Sequence, residues 1–199
     1  MRAVFCDIPD QWLQDFPGRH DDRWDEMWEG VLHVPPCATA DHQDFGGQLY
    51  SWLHVNWAKP NGCRAYPAVN ISDREDDWTT NYRIPDLSLL TADRFHINRN
   101  DFFFGAPLVV VEVRSPRDES YEKLPFYASL GVPEVWIIDR DSKHPEIYTL
   151  NHGQYVTAVA DDDDWTLSEA TGIRMKATDV KKLAIELAGD ASTHDELPT

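Results

Sequence analysis

The order of apolar and polar positions divides the chain into short segments of two periods. Between Gln11 and Glu29, Trp12, Leu13, Phe16, Trp24, Met27 and Trp28 recur among many acids, a spacing that suits one or two short amphipathic helices broken at Pro17-Gly18. Gly30-Val31-Leu32-His33-Val34 reads as a strand stopped by Pro35-Pro36. From Thr39 to Lys59, Leu49, Trp52, Leu53 and Asn56 fall at helical spacing, with Asp41 near the start, where an acid complements the helix dipole. Pro60-Asn61-Gly62 ends this helix, and two strands are expected after it, Arg64 to Ile71 and Ile84 to Leu90, separated by the acidic, turn-rich stretch Ser72 to Asn81.

The middle of the chain has the clearest pattern. Leu108 to Val113 is a β-branched run bounded by Pro107 and by Ser115-Pro116, as in a central strand covered on both faces. Asp118, Ser120 and Glu122 open a helix that runs to about Leu130 and stops at Gly131, with a late start or a kink expected at Pro125. Val135 to Asp139 is a further strand, and Glu146 to Leu150 with Gln154 to Ala160 forms a hairpin around Asn151-His152-Gly153. A last helix is expected near Asp179 to Leu187. No period of roughly 20 to 50 residues recurs. Helix and strand segments in this order predict an α/β fold: one mixed sheet flanked by helices in a single domain over residues 1–190, with 191–199 as a polar tail.

Composition narrows the classes. The chain has 199 residues, 42% hydrophobic and 27% charged, with eight Trp, seven Tyr and eight Phe, which excludes a disordered polymer or a coiled coil. Thirty-five acids against 18 bases give a net charge of −17, so nucleic acid cannot be held by bulk positive field and must be met locally. No run approaches the roughly 18 apolar residues of a membrane helix, and the start lacks a signal-like apolar region, so the cytoplasm is the expected location. Cys6, Cys37 and Cys63 are odd in number and far apart, which speaks against a disulfide framework or a zinc knuckle.

Candidate chemistry starts at Glu112, a carboxylate inside Leu-Val-Val-Val-Glu-Val, where desolvation costs several kcal/mol unless a partner compensates. Alternation puts Glu112 and Arg114 on one face of the strand with Leu108 and Val110, which allows either a structural Glu112–Arg114 pair or a metal ligand. Asp86, in Ile84-Pro85-Asp86-Leu87, lies at the edge of another apolar strand; with Glu112 it makes half of a hard-oxygen site of the sort magnesium uses. Lys123, eleven residues after Glu112, can fold back over the strand end to position or deprotonate a water.

Pro85-Asp86, Val109 to Pro116 with its Glu112, Asp118 to Tyr127 with its Lys123, and Gly131 to Asp139 together resemble the Uma-type putative endonuclease family, within the PD-(D/E)xK restriction-endonuclease-like superfamily. Glu26-Met-Trp-Glu29-Gly30 resembles the family's opening Glu-x-x-Asp-Gly element, and His42 resembles a His that starts its next helix. The resemblance implies a restriction-endonuclease-like core in which Asp86 and Glu112 hold Mg2+ (with Mn2+ as a substitute), Lys123 serves the water and Glu26 completes the acidic cluster. Two departures stand out. Arg114 occupies the position two after Glu112 where the superfamily motif has its Lys, and the resemblance implies that the lysine has migrated to Lys123; an arginine cannot act as a base but can contact phosphate. Glu29 replaces the family's Asp.

The implied reaction is hydrolysis of a phosphodiester in nucleic acid, with DNA favoured over RNA and no membrane partner. The acidity calls for a second source of basic surface, such as a homodimer. From another class, a catalytically inactive relative that keeps the fold as a binding or assembly module is the competing reading. Nucleophile-elbow, P-loop, dinucleotide and H-E-x-x-H motifs are all missing. His33, His42 and His54 read as surface or satisfied histidines, Asp161 to Asp164 as a solvated turn, and most of Trp12, Trp24, Trp28, Trp52 and Trp57 as core.

Overall fold

The run Val109-Val110-Val111-Glu112-Val113 forms the strand around which the chain is organised. The computed structural model describes residues 3–5, 24–35, 38–116 and 118–199. Along the chain, β1 (Ala3–Phe5), β2 (Glu26–Trp28) and β3 (Val31–Val34) precede helix α1 (Ala40–Leu53), which widens into a π-type turn over His54–Ala58. Next come β4 (Arg64–Pro67), β5 (Asn70–Ser72), β6 (Tyr82–Arg83), β7 (Leu87–Leu90), β8 (Phe102–Phe104) and β9 (Val109–Arg114). Helix α2 (Leu124–Leu130) links β9 to β10 (Glu134–Asp139), followed by the hairpin β11 (Pro145–Asn151) and β12 (Gln154–Thr157). Last are β13 (Thr166–Leu167), β14 (Ile173–Ala177), β15 (Leu183–Leu187) and β16 (Asp190–Leu197).

These strands form three sheets, in the orders β1-β3-β2-β6-β5-β8, β12-β11-β10-β9-β7-β4 and β13-β14-β15-β16. The second is the expected mixed sheet. Its β9 and β10 run parallel, with Glu112 opposite Ile137, and a parallel pair needs a crossover, which α2 supplies. Val109, Val111 and Val113 pack on Phe45, Leu49, Trp52 and Leu53 of α1 and on Ile173, Met175, Leu183 and Ile185 of the third sheet. Val110 faces the other way, onto Phe126, Tyr127, Val132 and Ile137. Both faces of the central sheet are therefore covered, as the β-branched run requires.

Thr39 caps α1, its Oγ1 accepting the His42 N–H at 3.3 Å. Pro125 falls in the first turn of α2, after a 3-10 turn over Tyr121–Lys123, so its missing N–H costs nothing, and Gly131 closes the helix at φ +80°, a left-handed conformation suited to glycine.

Four expectations are corrected. Of the helical stretch Gln11 to Glu29, residues 11–23 lie outside the described residues, and Glu26–Trp28 is a strand. The strand Arg64 to Ile71 is two strands in two sheets, divided where Ala68 takes φ +50° and gives its N–H to the Asp86 carbonyl at 3.1 Å. The helix expected near Asp179 to Leu187 is β15: Leu183, Ile185 and Leu187 obey a two-residue period, whereas Val180, Leu183 and Leu187 imitate a helical one and Val180 is exposed. Residues 191–199, expected as a polar tail, belong to β16 as far as Leu197, which is buried, and Thr193 ties the strand down by accepting the Trp52 indole N–H on its carbonyl at 2.9 Å. Among the described residues no helix is long and apolar enough to cross a membrane.

Candidate functional site

Strand alternation turns Glu112 toward α2, onto the same face as Val110. Lys123 and Tyr127, four residues apart at the start of α2, share one side of the helix and reach the same carboxylate. The Tyr127 hydroxyl donates to Glu112 Oε1 at 2.7 Å, and Lys123 Nζ donates to Glu112 Oε2 at 3.1 Å. The ammonium also meets Glu26 Oε1 at 2.8 Å and the Ile84 carbonyl at 3.5 Å, so its three protons all have acceptors. Glu26, on β2, is fixed in turn by the Ile84 N–H on Oε1 (2.8 Å) and the Trp28 indole N–H on Oε2 (2.6 Å). Glu26, Glu112 and Lys123 are all buried, so these contacts compensate charge that water cannot reach.

Asp86 stands just before β7, where Pro85 stiffens the approach. Leu87 pairs with Val111 in the antiparallel β7–β9 ladder, and one step further Asp86 Oδ2 accepts the Val113 N–H at 2.6 Å. Its Oδ1 lies 3.5 Å from His42 Nε2. That nitrogen is also 3.1 Å from the Val113 carbonyl, and since both neighbours are acceptors it carries the hydrogen, while Nδ1 is buried without a partner.

Burial pushes the Glu112 carboxyl up to about 8, with the Asp86 and Glu26 charges adding to the rise, although Lys123 and the Tyr127 hydroxyl pull it down. Burial works against the charge of Lys123, yet Glu112 and Glu26 outweigh it and hold the ammonium above its ordinary value. For Tyr127, burial and the neighbouring carboxylates push the hydroxyl well up. His42 also rises, because Asp86 and the Val113 carbonyl outweigh its burial.

A cavity of about 320 Å³ opens over these groups, with Glu26, His42, Asp86, Glu112 and Lys123 in its wall. The four residues expected to act together, Asp86, Glu112, Lys123 and Glu26, are thus brought to one place. Arg114 is not in that wall: its guanidinium is held by Asp139 Oδ2 at 2.7 Å and lies over the Tyr121 ring, so the Glu112–Arg114 pair is not formed. Glu29 points to Arg74 and to Asn81, away from the cavity. Arg140 lines it instead, a cation that sequence reasoning passed over. His33, read from the sequence as a surface or satisfied histidine, also lines the cavity, paired through Nδ1 at 2.9 Å with Oε2 of Glu119, a residue to which sequence reasoning gave no role. Tyr127 was legible in one respect, its spacing of four from Lys123.

Asp86 and Glu112 offer hard oxygen donors, and Asp86 is the more open of the two, with 27% of its side chain exposed. Among the described residues no three His, Cys, Asp or Glu side chains form a metal-ligating group. An ion here would rest on two carboxylates and complete its shell with water and substrate oxygens, which fits magnesium and not the closed nitrogen and sulfur set of structural zinc.

None of the curated proteins compared matches the chain. Among solved structures, the fold matches that of a putative nuclease belonging to DUF820 from Anabaena variabilis, with 19% identity, a TM-score of 0.58, and coverage of 76% of this chain and 84% of that one. At that identity the likeness speaks for a restriction-endonuclease-like fold. The family match is broader, spanning residues 10–181: this chain belongs to the Uma2 family, described as putative restriction endonucleases.

Proposed function

We propose that the protein is a divalent-cation-dependent endonuclease that hydrolyses phosphodiester bonds, with Asp86 and Glu112 holding Mg2+ (or Mn2+), and Lys123 and Glu26 completing the site. The observation that carries this reading is the buried Glu112–Lys123–Glu26 cluster, set beside Asp86 on the wall of a single cavity. Family membership supports the reaction class.

When bound, magnesium would polarise a phosphoryl oxygen, acidify a water and offset charge built up during attack. The chain's own groups prepare the place. Val113 fixes one oxygen of Asp86 through its N–H, while the other lies 3.5 Å from His42 Nε2, both residues lining the cavity. Tyr127 and Lys123 hold the two oxygens of Glu112 in one rotamer. Lys123, with every proton engaged and its ammonium form stabilised, acts as a fixed positive charge between two carboxylates rather than as the proton acceptor. Arg140, a second cation in the cavity wall beside Lys123, takes the phosphate contact expected of Arg114.

DNA is the first substrate to try. A net charge of −17 implies weak, salt-sensitive binding unless a second subunit adds basic surface. Calorimetric titration with MgCl2 tests the reading: the wild type gives a saturable heat that Glu112→Gln lacks, and it nicks supercoiled plasmid while Lys123→Ala does not. Equal heats from the two proteins overturn it, and a wild type that binds magnesium but leaves plasmid intact points to the inactive binding module.

A further inference from the structure

We propose that His33, oriented by Glu119, accepts the proton of the attacking water; this rests on the nuclease reading and supplies the base that reading lacks. The cavity holds few groups able to take a proton. Lys123 has no acceptor site. Both oxygens of Glu26 are engaged by N–H or ammonium donors, and Glu112, like Asp86, is committed to the ion in the nuclease reading, where a ligand carboxylate must stay ionised. The hydrogen-free nitrogen of His42 is the buried Nδ1, while the Asp118 oxygens accept the backbone N–H groups of Ser115 and Ser120.

His33 differs from all of these. It sits on β3, opposite Glu26 in the β2–β3 ladder, with its ring stacked on Trp28 at 3.9 Å and 13°. Glu119, 86 residues away in sequence, meets Nδ1 at 2.9 Å. A carboxylate only accepts, so Nδ1 carries the hydrogen and Nε2 carries the lone pair. Nε2 takes no hydrogen bond from any described group, and it is not among the buried polar atoms left without a partner, so it is open to water. Stacking on Trp28 and the bond to Glu119 fix the ring plane and the tautomer, the two conditions a positioned imidazole base needs. Trp28 in turn donates to Glu26, which ties the His33 ring to the Lys123 cluster through one side chain.

In the step, a water proton passes to His33 Nε2 as the water oxygen bonds to phosphorus. The bond from phosphorus to the departing nucleoside oxygen breaks, and that oxygen takes a proton from a second water. The imidazolium, held by the Glu119 carboxylate, then returns its proton to the hydroxide so formed.

The test uses the full chain with MgCl2 and supercoiled plasmid DNA. His33→Ala should lower kcat about 100-fold or more, with KM and the heat of magnesium binding unchanged, and added imidazole should restore part of the rate. Glu119→Gln should lose about tenfold, and Lys123→Ala should lose cleavage with no response to imidazole. His33→Asn, which preserves a polar side chain beside Trp28, covers the case in which alanine unsettles the fold, and it too should lose cleavage. Folded His33 variants that cut at the wild-type rate, or a loss that imidazole does not relieve, overturn the proposal and leave the nuclease reading standing. A wild type that fails to cut overturns both.

Discussion

Asp86 Oδ2 accepts the backbone N–H of Val113 at 2.6 Å, so the carboxylate that precedes β7 is anchored one residue beyond Glu112. The bond sets the spacing of two acids that lie 26 residues apart in the chain. Asp86→Asn retains an oxygen for Val113 but turns an NH2 group toward His42 Nε2, which already carries a hydrogen. We expect a stability loss of about 1 kcal/mol by urea denaturation, together with loss of the calorimetric magnesium heat. A variant that binds magnesium as the wild type does would remove Asp86 from the ion site.

Glu112 makes stability depend on pH in a direction opposite to that of a surface carboxylate. Its folded pKa lies near 8, above the ordinary 4.5, so between those values the folded chain retains a proton that the unfolded chain has lost. Stability supplied by the neutral carboxyl is therefore lost as pH rises from about 4.5 to about 8, by on the order of a few kcal/mol. Lys123 stays protonated in both states across this window and adds no slope. Urea midpoints measured from pH 5 to pH 8 should fall for the wild type and flatten for Glu112→Gln. Tyr127→Phe, which removes a hydrogen bond that favours the ionised carboxylate, should carry the decline to higher pH. Because a ligand carboxylate must ionise, magnesium affinity should rise roughly tenfold per pH unit up to about 8. A slope of the same sign and size in Glu112→Gln would assign it to another group.

Lys123 bridges two buried carboxyl groups, and removing it would leave Glu26 without its cation and Glu112 without a donor. Lys123→Met should therefore cost about 3–5 kcal/mol, and adding Glu112→Gln to it should recover part of the loss, the coupling expected of residues in contact. Chemical denaturation of the two single variants and the double variant reads that coupling directly. Strict additivity would show that the Lys123–Glu112 contact at 3.1 Å carries no net energy.

The legible parts of the fold are those in which local and global signals agree. The β-branched run of β9, the Pro125 helix start, the Gly131 stop and the turn at Asn151-His152-Gly153 each combine a hydrophobic period with a residue whose backbone preference leaves few alternatives. At the site, Asp86, Glu112 and Lys123 were readable because charged groups beside apolar strands are costly and rarely idle, and because they carry the family motif. His33 and Glu119 were not, since their contact is made by the β2–β3 hairpin meeting the segment before α2, and Arg140 reaches the cavity from the end of β10; no local spacing encodes either relation. β15 misled for a different reason: Val180, Leu183 and Leu187 mimic helical spacing, and only tertiary pairing with β14 and β16 decides between the periods.

β16 gives the sharpest test of what composition conceals. Asp190 to Glu196 is polar because the strand lies at the edge of the third sheet with much of its surface in water, the same chemistry that marks a tail. Its energetic content sits at a few points: Leu197 at 2% exposure in the core, the Thr193 carbonyl under Trp52, and the Thr193 hydroxyl accepting the Leu187 N–H at 2.9 Å. Leu197→Ala should therefore cost about 2–5 kcal/mol, whereas Ser192→Ala, at an exposed position, should change stability by less than about 0.5 kcal/mol. Deleting residues 190–199 removes all three anchors and bares the β15 edge beside buried Ile185, so we expect loss of the cooperative urea transition and a rise in light scattering. A truncated chain that unfolds at the wild-type urea midpoint would return these residues to the status of a tail.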